Sequence, residues 1–290
     1  MGQRSVGVEE ELLLVDPDTG RALAVSGAVL RAAAARNGGD GDHDALEAEF
    51  TRQQIETNTR PCLSLDELSA ELRRCRRAAA DAAQAAGAQV AALATSPTPV
   101  SPEITRDDRY QRMLDAFGLT AQQQLTCGCH IHVEVDSDEE GVAILDRIRG
   151  WLPALLALSA NSPYWQGEDS SYASFRTQVW TRWPSAGPTA LFGSASAYHA
   201  TVRSMIESGT VLDAGMIYFD ARLSHRYPTV EVRVSDVCLV ADDAVLLGAL
   251  TRALVETAAR EWQAGEPPVP LRVELLRLAS WRAARSGLDG

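Results

Sequence analysis

The sequence predicts an α+β protein: an antiparallel sheet with helices packed on one face and the other face open for ligand. Three observations carry this. Stretches at 7–12, 129–134 and 228–236 alternate at the period of a strand. Longer segments between them carry helical periodicity and capping signals. The strand candidates fall into hairpin-like neighbours separated by helices, without a regular βα repeat, which favours antiparallel pairing.

Taken in order, residues 5–15 read as the first strand, and Asp16-Pro17-Asp18-Thr19-Gly20 as the turn after it. A second short strand near 23–25 would close a hairpin. Residues 27–36 are Ala-rich and helical, and 37–42 form an acidic loop. A strand over 52–58 ends before Pro61. Ser64 and Glu67 make a capping box that opens a helix to about Ala86, closed by Gly87. Its buried stripe is Leu65, Leu68, Leu72, Cys75 and Ala79, and the arginines at 73, 74, 76 and 77 fan outward as solvated or salt-bridged surface. A strand at 89–94 precedes a Pro-rich loop at 95–102, and 106–117 is helical. Residues 122–135 hold a His-bearing strand. Ser137 and Glu140 form a second capping box for a helix to about Trp151, and an apolar helix follows to Ala160. Residues 161–188 are long and irregular, rich in Trp, Tyr, Ser and Gly, the kind of segment that carries function. A helix at 194–208, paired strands at 216–223 and 228–235, and helices at 242–263 and 269–285 complete the chain.

The 290 residues are 46% hydrophobic and carry a formal net charge of −12. That balance repels phosphate backbones and anionic lipid, so neither nucleic acid nor a membrane is expected as a partner. There is no lysine; all 27 basic residues are arginine. This excludes a Walker A loop, a Schiff-base mechanism and a protein-kinase site. The five cysteines show no metal-knuckle spacing and read as reduced thiols of a cytoplasmic protein. No signal peptide or membrane span is legible. The apolar run at 152–159 is compatible with a homodimer.

Three strands carry the chemistry. In Thr229-Val230-Glu231-Val232-Arg233-Val234-Ser235-Asp236 the valines face a core, while Glu231 and Arg233 share the other face. A carboxylate can hold a metal while an arginine neutralises a phosphoryl group, although a cross-strand ion pair gives the same pattern. Glu9 and Glu11 share a face beside an apolar run, which is costly unless a cation sits there; a charged strand edge is the alternative. His130, His132 and Glu134 share a face that suits a metal, but zinc hydrolases and cupin-type proteins also place His-x-His on a strand. Cys127 and Cys129 point the opposite way, as core thiols.

Together these segments resemble the bacterial carboxylate–amine ligases known as type 2 glutamate–cysteine ligases. The resemblance rests on Gly7-Val8-Glu9-Glu10-Glu11-Leu12-Leu13-Leu14-Val15-Asp16-Pro17, on 49–56, on Cys127-Gly128-Cys129-His130-Ile131-His132-Val133, on 171–180 with Arg182-Trp183-Pro184, and on Phe219-Asp220-Ala221-Arg222 leading to 229–236. It spans nearly the whole chain. It implies a glutamine-synthetase-like catalytic fold, with ATP and Mg²⁺ (Mn²⁺ being an alternative) on the concave face of a curved antiparallel sheet. The implied reaction joins a small-molecule carboxylate to an amine through an acyl phosphate, with glutamate and cysteine as default substrates. By the same resemblance Glu9, Glu11, Glu56, Glu231 and His130 hold metal, and Arg233, Glu231 and His130 are catalytic, with Arg233 also contacting the nucleotide's transferring phosphoryl group. Glu49, Arg176, Arg222 and His132 contact substrate. The chain reads as a single catalytic domain over 1–290, with family members continuing past the equivalent of Gly290. Two other functions are compatible with the residues: a zinc hydrolase on His130, His132 and Glu134, and a non-catalytic ligand-binding relative.

Overall fold

The computed structural model of the protein describes residues 3–36 and 46–290. The strands are β1 (Val6–Val15), β2 (Glu47–Ala48), β3 (Gln54–Asn58), β4 (Gln89–Ala91), β5 (Gly128–Glu134), β6 (Tyr164–Trp165), β7 (Glu168–Asp169), β8 (Ala221–Leu223) and β9 (Thr229–Asp236). The helices are α1 (Ser26–Arg36), α2 (Leu65–Ala85), α3 (Asp108–Phe117), α4 (Leu119–Gln122), α5 (Asp138–Ile148), α6 (Leu152–Ser159), α7 (Phe175–Trp180), α8 (Ala195–Glu207), α9 (Ala241–Gln263) and α10 (Val273–Ser286). Seven strands form one sheet in the order β2-β3-β1-β5-β9-β8, with β4 also paired to β1. All its strand pairs are antiparallel, as the alternating pattern predicts. No described helix is long and apolar enough to cross a membrane.

The apolar half of each alternating strand is buried. Val8, Ile131, Val133, Val230 and Val232 join one core with Ile144, Leu156 and Leu247 from the helices α5, α6 and α9. Leu12, Leu14 and Ile55 join a second core with Ala79 and Ala83 of α2. Helices therefore cover this face, and the polar residues at alternate positions are left for the other. In the run at 152–159, Leu152, Leu155 and Leu156 are buried within the chain, while Leu158 stays 44% exposed.

The capping box at Ser64 and Glu67 forms as predicted, and Gly87, at φ +75°, ends that helical stretch. Leu65 departs from the predicted stripe and stays 37% exposed. At Ser137 only half a box forms. The hydroxyl accepts from the Glu140 amide, while the Glu140 carboxylate reaches past the cap to the Asp136 amide and to Arg4, each 2.7 Å away. The predicted strand at 23–25 is reduced to a bridge between Val15 and Ala22, because that edge of β1 is already taken by β3, with Gln53 just before it accepting from the Leu14 amide. The stretch 161–188 is more ordered than predicted, containing the β6–β7 hairpin and α7. The acidic loop at 37–42 lies outside the described residues.

One arginine predicted as surface turns inward. Glu10 faces the helices and is 0% exposed. Arg76 grips it through two bonds of 2.7 and 2.8 Å and also donates to the carbonyl oxygens of Cys238 and Leu239. Arg76→Ala leaves a buried carboxylate without its counter-charge. We expect a loss of about 3–5 kcal/mol in urea unfolding; a loss below about 1 kcal/mol would show that water replaces the guanidinium.

Candidate active site

Antiparallel register brings the polar faces of β1, β3, β5 and β9 side by side. Glu9 stands opposite His130, Glu11 opposite Glu56, and Glu231 between His132 and Arg222. Side chains so paired are close enough to share one ligand. A cleft of about 810 Å³ lies over them, lined by Glu9, Glu11, Glu49, Glu56, His130, His132, Arg222, Glu231 and Arg233 among others. That volume suits a small-molecule site.

A bulge aims Arg233. Between Cys129 and Ile131 the β5–β9 register shifts, so Arg233 and Val234 both stand opposite His130. Bulges of this kind re-aim side chains next to functional sites. The Arg233 guanidinium meets the Glu231 carboxylate, lies 3.4 Å from Nδ1 of His130, and stacks over Trp180 and Tyr218. Gly128 allows the close approach beneath. A Cβ there would come within 2.4 Å of Arg176 Nη2 and 3.0 Å of His130 Nε2.

The acidic residues gather in two groups. Glu9, His132 and Glu231 bring one ligand atom each within 4.8 Å of one another, and Glu11, Glu49 and Glu56 do the same. In the first group, Nε2 of His132 is 3.1 Å from Glu9, and Nδ1 of His132 bonds the Thr229 hydroxyl at 2.8 Å, fixing the ring. Burial works against both carboxylates ionising. Bonds from His130 and His132 nevertheless hold Glu9 well below the usual range, and Arg233 and Arg222 hold Glu231 low. His130 is driven down to about 4 by burial and the Arg233 charge, so it is neutral at physiological pH; its Nε2 is buried without a partner.

The second group is out of balance. Burial raises Glu11, although Arg176 and the Gly128 amide, 2.6 Å away, oppose it. Burial and the Glu11 charge raise Glu49, and burial with Glu49 and Glu9 pushes Glu56 well above the usual range. Three converging carboxylates that resist ionisation are what a hard divalent cation stabilises. The donors fit Mg²⁺ or Mn²⁺, being carboxylate oxygens and one imidazole, with no thiol.

This arrangement fixes a pH dependence. Carboxyls raised in the folded state bind more protons than in the unfolded chain, so their effect lowers stability as pH climbs from the ordinary carboxylate range toward their raised values. Glu9 and Glu231, held low, act oppositely: their contribution is present above the ordinary range and lost on acidification. Millimolar Mg²⁺ should therefore raise the unfolding temperature by about 5 °C at pH 7.5 and by much less at pH 5, in thermal melts against chelator. Equal shifts at both pH values would contradict a cation on these carboxylates.

Two predicted residues lie elsewhere. Glu134 sits exposed at the strand end, bonded to the Ser5 amide and hydroxyl at 3.1 and 2.8 Å. The zinc triad His130, His132 and Glu134 is therefore not assembled, because period two sets the face of a strand but not the reach of its last residue. Arg176 is 2% exposed and does not line the cleft. Arg222 does line it, but its guanidinium is committed to Glu231 at 2.7 and 3.2 Å and to the Ile217 carbonyl oxygen at 2.8 Å, so it positions Glu231.

Part of the cleft wall carries no clear signal in the sequence. Trp180, Trp183, Tyr218 and Tyr110 line it; the aromatic content of 161–188 signals only the first two. Arg109 binds Asp213 through bonds of 2.6 and 2.9 Å, joining α3 to the 214–216 turn at the cleft. No local pattern links residues so far apart in sequence.

Residues 5–290 match the family described as "Glutamate-cysteine ligase family 2". The chain is 60% identical over 287 residues to "Putative glutamate--cysteine ligase 2-1" of Streptomyces avermitilis, covering 99% of this chain and 78% of that protein. It is also 60% identical over 285 residues to "Putative glutamate--cysteine ligase 2" of Streptomyces coelicolor, covering 98% and 78%. Among solved structures, glutamate–cysteine ligase of Francisella tularensis in complex with AMP aligns with a TM-score of 0.68 at 14% identity, covering 100% of this chain and 72% of that one. A bifunctional glutathione synthetase from Pasteurella multocida aligns with a TM-score of 0.66 at 14% identity, covering 98% and 42%. Glutamine synthetase of Plasmodium falciparum gives 0.50 at 12% identity, covering 93% and 54%. These structural likenesses bear out the glutamine-synthetase-like fold; the family rests on the sequence matches. By these matches the chain belongs to glutamate–cysteine ligase family 2, a family of ATP-dependent carboxylate–amine ligases.

Proposed function

We propose that this cleft joins the carboxylate of glutamate to an amine, with ATP as phosphoryl donor and cysteine as the default amine. The observation that carries this reading is the pair of acidic groups in one cleft, with Arg233 reaching Glu231. Mg²⁺ or Mn²⁺ held on Glu9, His132 and Glu231 and on Glu11, Glu49 and Glu56 would neutralise phosphate oxygens and so lower the barrier to reaction between anions.

The chain's own residues do the rest. Arg233 presents a fixed fork to the transferring phosphoryl group. Glu231 and the rings of Trp180 and Tyr218 hold that fork in place. His130, kept neutral, offers an uncharged nitrogen beside it. A carboxylate oxygen of the acid attacks the γ-phosphorus and the bond to ADP breaks, giving the acyl phosphate. The amine nitrogen then attacks the carbonyl carbon, the bond to phosphate breaks, and the nitrogen loses a proton. The products are amide, ADP and phosphate. Residues 1–290 form a single catalytic domain in this reading, acting in the cytoplasm.

The test is phosphate release from Mg-ATP with glutamate, alone and with a panel of amino acids and amines. Release that requires both an acid and an amine, with the new amide seen by mass spectrometry, is expected. Absence of ATP binding by calorimetry, with zinc in the purified protein, would overturn the reading.

A further inference from the structure

One loose ion pair joins two rims of the cleft. Glu47 of β2 stands on one rim and Arg226, in the turn between β8 and β9, on the other; both line the cleft. They lie 3.6 Å apart, Arg226 61% and Glu47 45% exposed. That distance is beyond hydrogen-bond reach, and a pair this exposed contributes little to stability. Glu47 has another partner, the Asn58 side-chain amide at 3.2 Å. Among the described residues the Arg226 guanidinium has only Glu47.

The pair lies beside both acidic groups. Glu47 stands opposite Glu56 in the β2–β3 register. Tyr227, next to Arg226, sets its ring edge-on to that of His132, with centres 6.0 Å apart. The turn is braced, since the Ser224 hydroxyl accepts from the Arg226 and Tyr227 amides, each at 3.3 Å. It leads directly into the strands that pair Arg222 with Glu231.

The nearby arginines are mostly taken. Arg109 is committed to Asp213, and Arg222 and Arg233 to Glu231. Arg176 faces the buried carboxylates of Glu11 and Asp236. Arg106 also lines the cleft, but from the loop before α3. An acid such as glutamate brings two carboxylates. One reacts beside Arg233, where cations on the acidic groups serve the phosphate tail. The other needs a cation of its own.

We propose that Arg226 selects the acid substrate by binding its second, non-reacting carboxylate, which displaces Glu47 from the guanidinium. The proposal rests on the ligase reading above and adds the residue that chooses the acid. A carboxylate seated on the planar fork makes two charge-assisted hydrogen bonds that Glu47, at 3.6 Å, does not make. Glu47 keeps Asn58, so the exchange strands no carboxylate.

Calorimetry on the full chain, with Mg²⁺ and a non-hydrolysable ATP analogue, tests this with L-glutamate and γ-aminobutyrate. The second probe keeps the reacting carboxylate and lacks the other. The wild-type protein should bind L-glutamate at least about tenfold more tightly than γ-aminobutyrate. Arg226→Ala should weaken L-glutamate by about tenfold or more and leave γ-aminobutyrate and the ATP analogue within about twofold. Arg226→Lys should keep part of the preference. Glu47→Gln breaks the same ion pair but spares Arg226, so L-glutamate should bind as well or better; a merely structural pair would make this variant behave like Arg226→Ala. Both positions are exposed, and melting curves check that the variants fold. Unchanged L-glutamate affinity in Arg226→Ala, an equal loss for γ-aminobutyrate, loss of the ATP analogue instead, or weaker L-glutamate binding in Glu47→Gln would overturn the proposal. So would a preference lost in Arg106→Ala but kept in Arg226→Ala, or no L-glutamate binding by the wild-type protein at millimolar concentration. These affinities need no turnover. Failure of the ligase reading would appear separately, as no acid-dependent phosphate release by the wild-type protein.

Discussion

Glu231→Gln should lower ATP-dependent turnover by about 10²–10³-fold and also destabilise the protein. Glu231 is 1% exposed and binds Arg222 and Arg233 at once, while contributing a ligand atom to the group with Glu9 and His132. A neutral amide keeps the shape but removes the charge that balances two buried guanidiniums. A strand-face pattern alone suggests that such a change separates chemistry from folding; the ion pairs couple the two. We expect a stability loss of about 3–5 kcal/mol in denaturant unfolding, so activity must be measured where the variant is still folded. Turnover within tenfold of wild type under those conditions would remove Glu231 from the reaction.

Arg233→Lys should reduce turnover by about 10²-fold with a smaller effect on stability. A lysine retains one positive charge near Glu231, so the buried carboxylate stays paired. It loses the planar fork and the stacking over Trp180 and Tyr218, 5.7 and 5.9 Å from the ring centres. The readout is kcat at saturating ATP. Near-normal kcat would reduce Arg233 to a structural partner of Glu231.

Much of this site is legible in the sequence because strands have period two. Alternation alone assigns Glu9 with Glu11, His130 with His132, and Glu231 with Arg233 to shared faces, and one cleft receives all six. What stays hidden depends on contacts between elements. Arg76 looks like its neighbours on the helix, and only the packing of α2 against β1 directs it to Glu10. Arg233 is re-aimed by a register shift that alternation does not reveal. Arg176 sits in a segment that resembles the family, but a motif gives presence, not side; the fold turns it away from the cleft. The resemblance assigns Glu49 to substrate, whereas the fold groups it with Glu11 and Glu56. It lies before β3 in a loop tied to 101–105, where the Thr105 hydroxyl donates to its carbonyl oxygen at 2.6 Å.

The acyl phosphate is the central claim, and an isotope test addresses it most directly. Glutamate labelled with oxygen-18 in its side-chain carboxylate is turned over with Mg-ATP and the amine found in the panel, and the released phosphate is analysed by mass spectrometry. One labelled oxygen in each phosphate is the expected result, since the oxygen that attacks phosphorus leaves with it. Unlabelled phosphate accompanying amide formation would contradict transfer of the phosphoryl group to the acid.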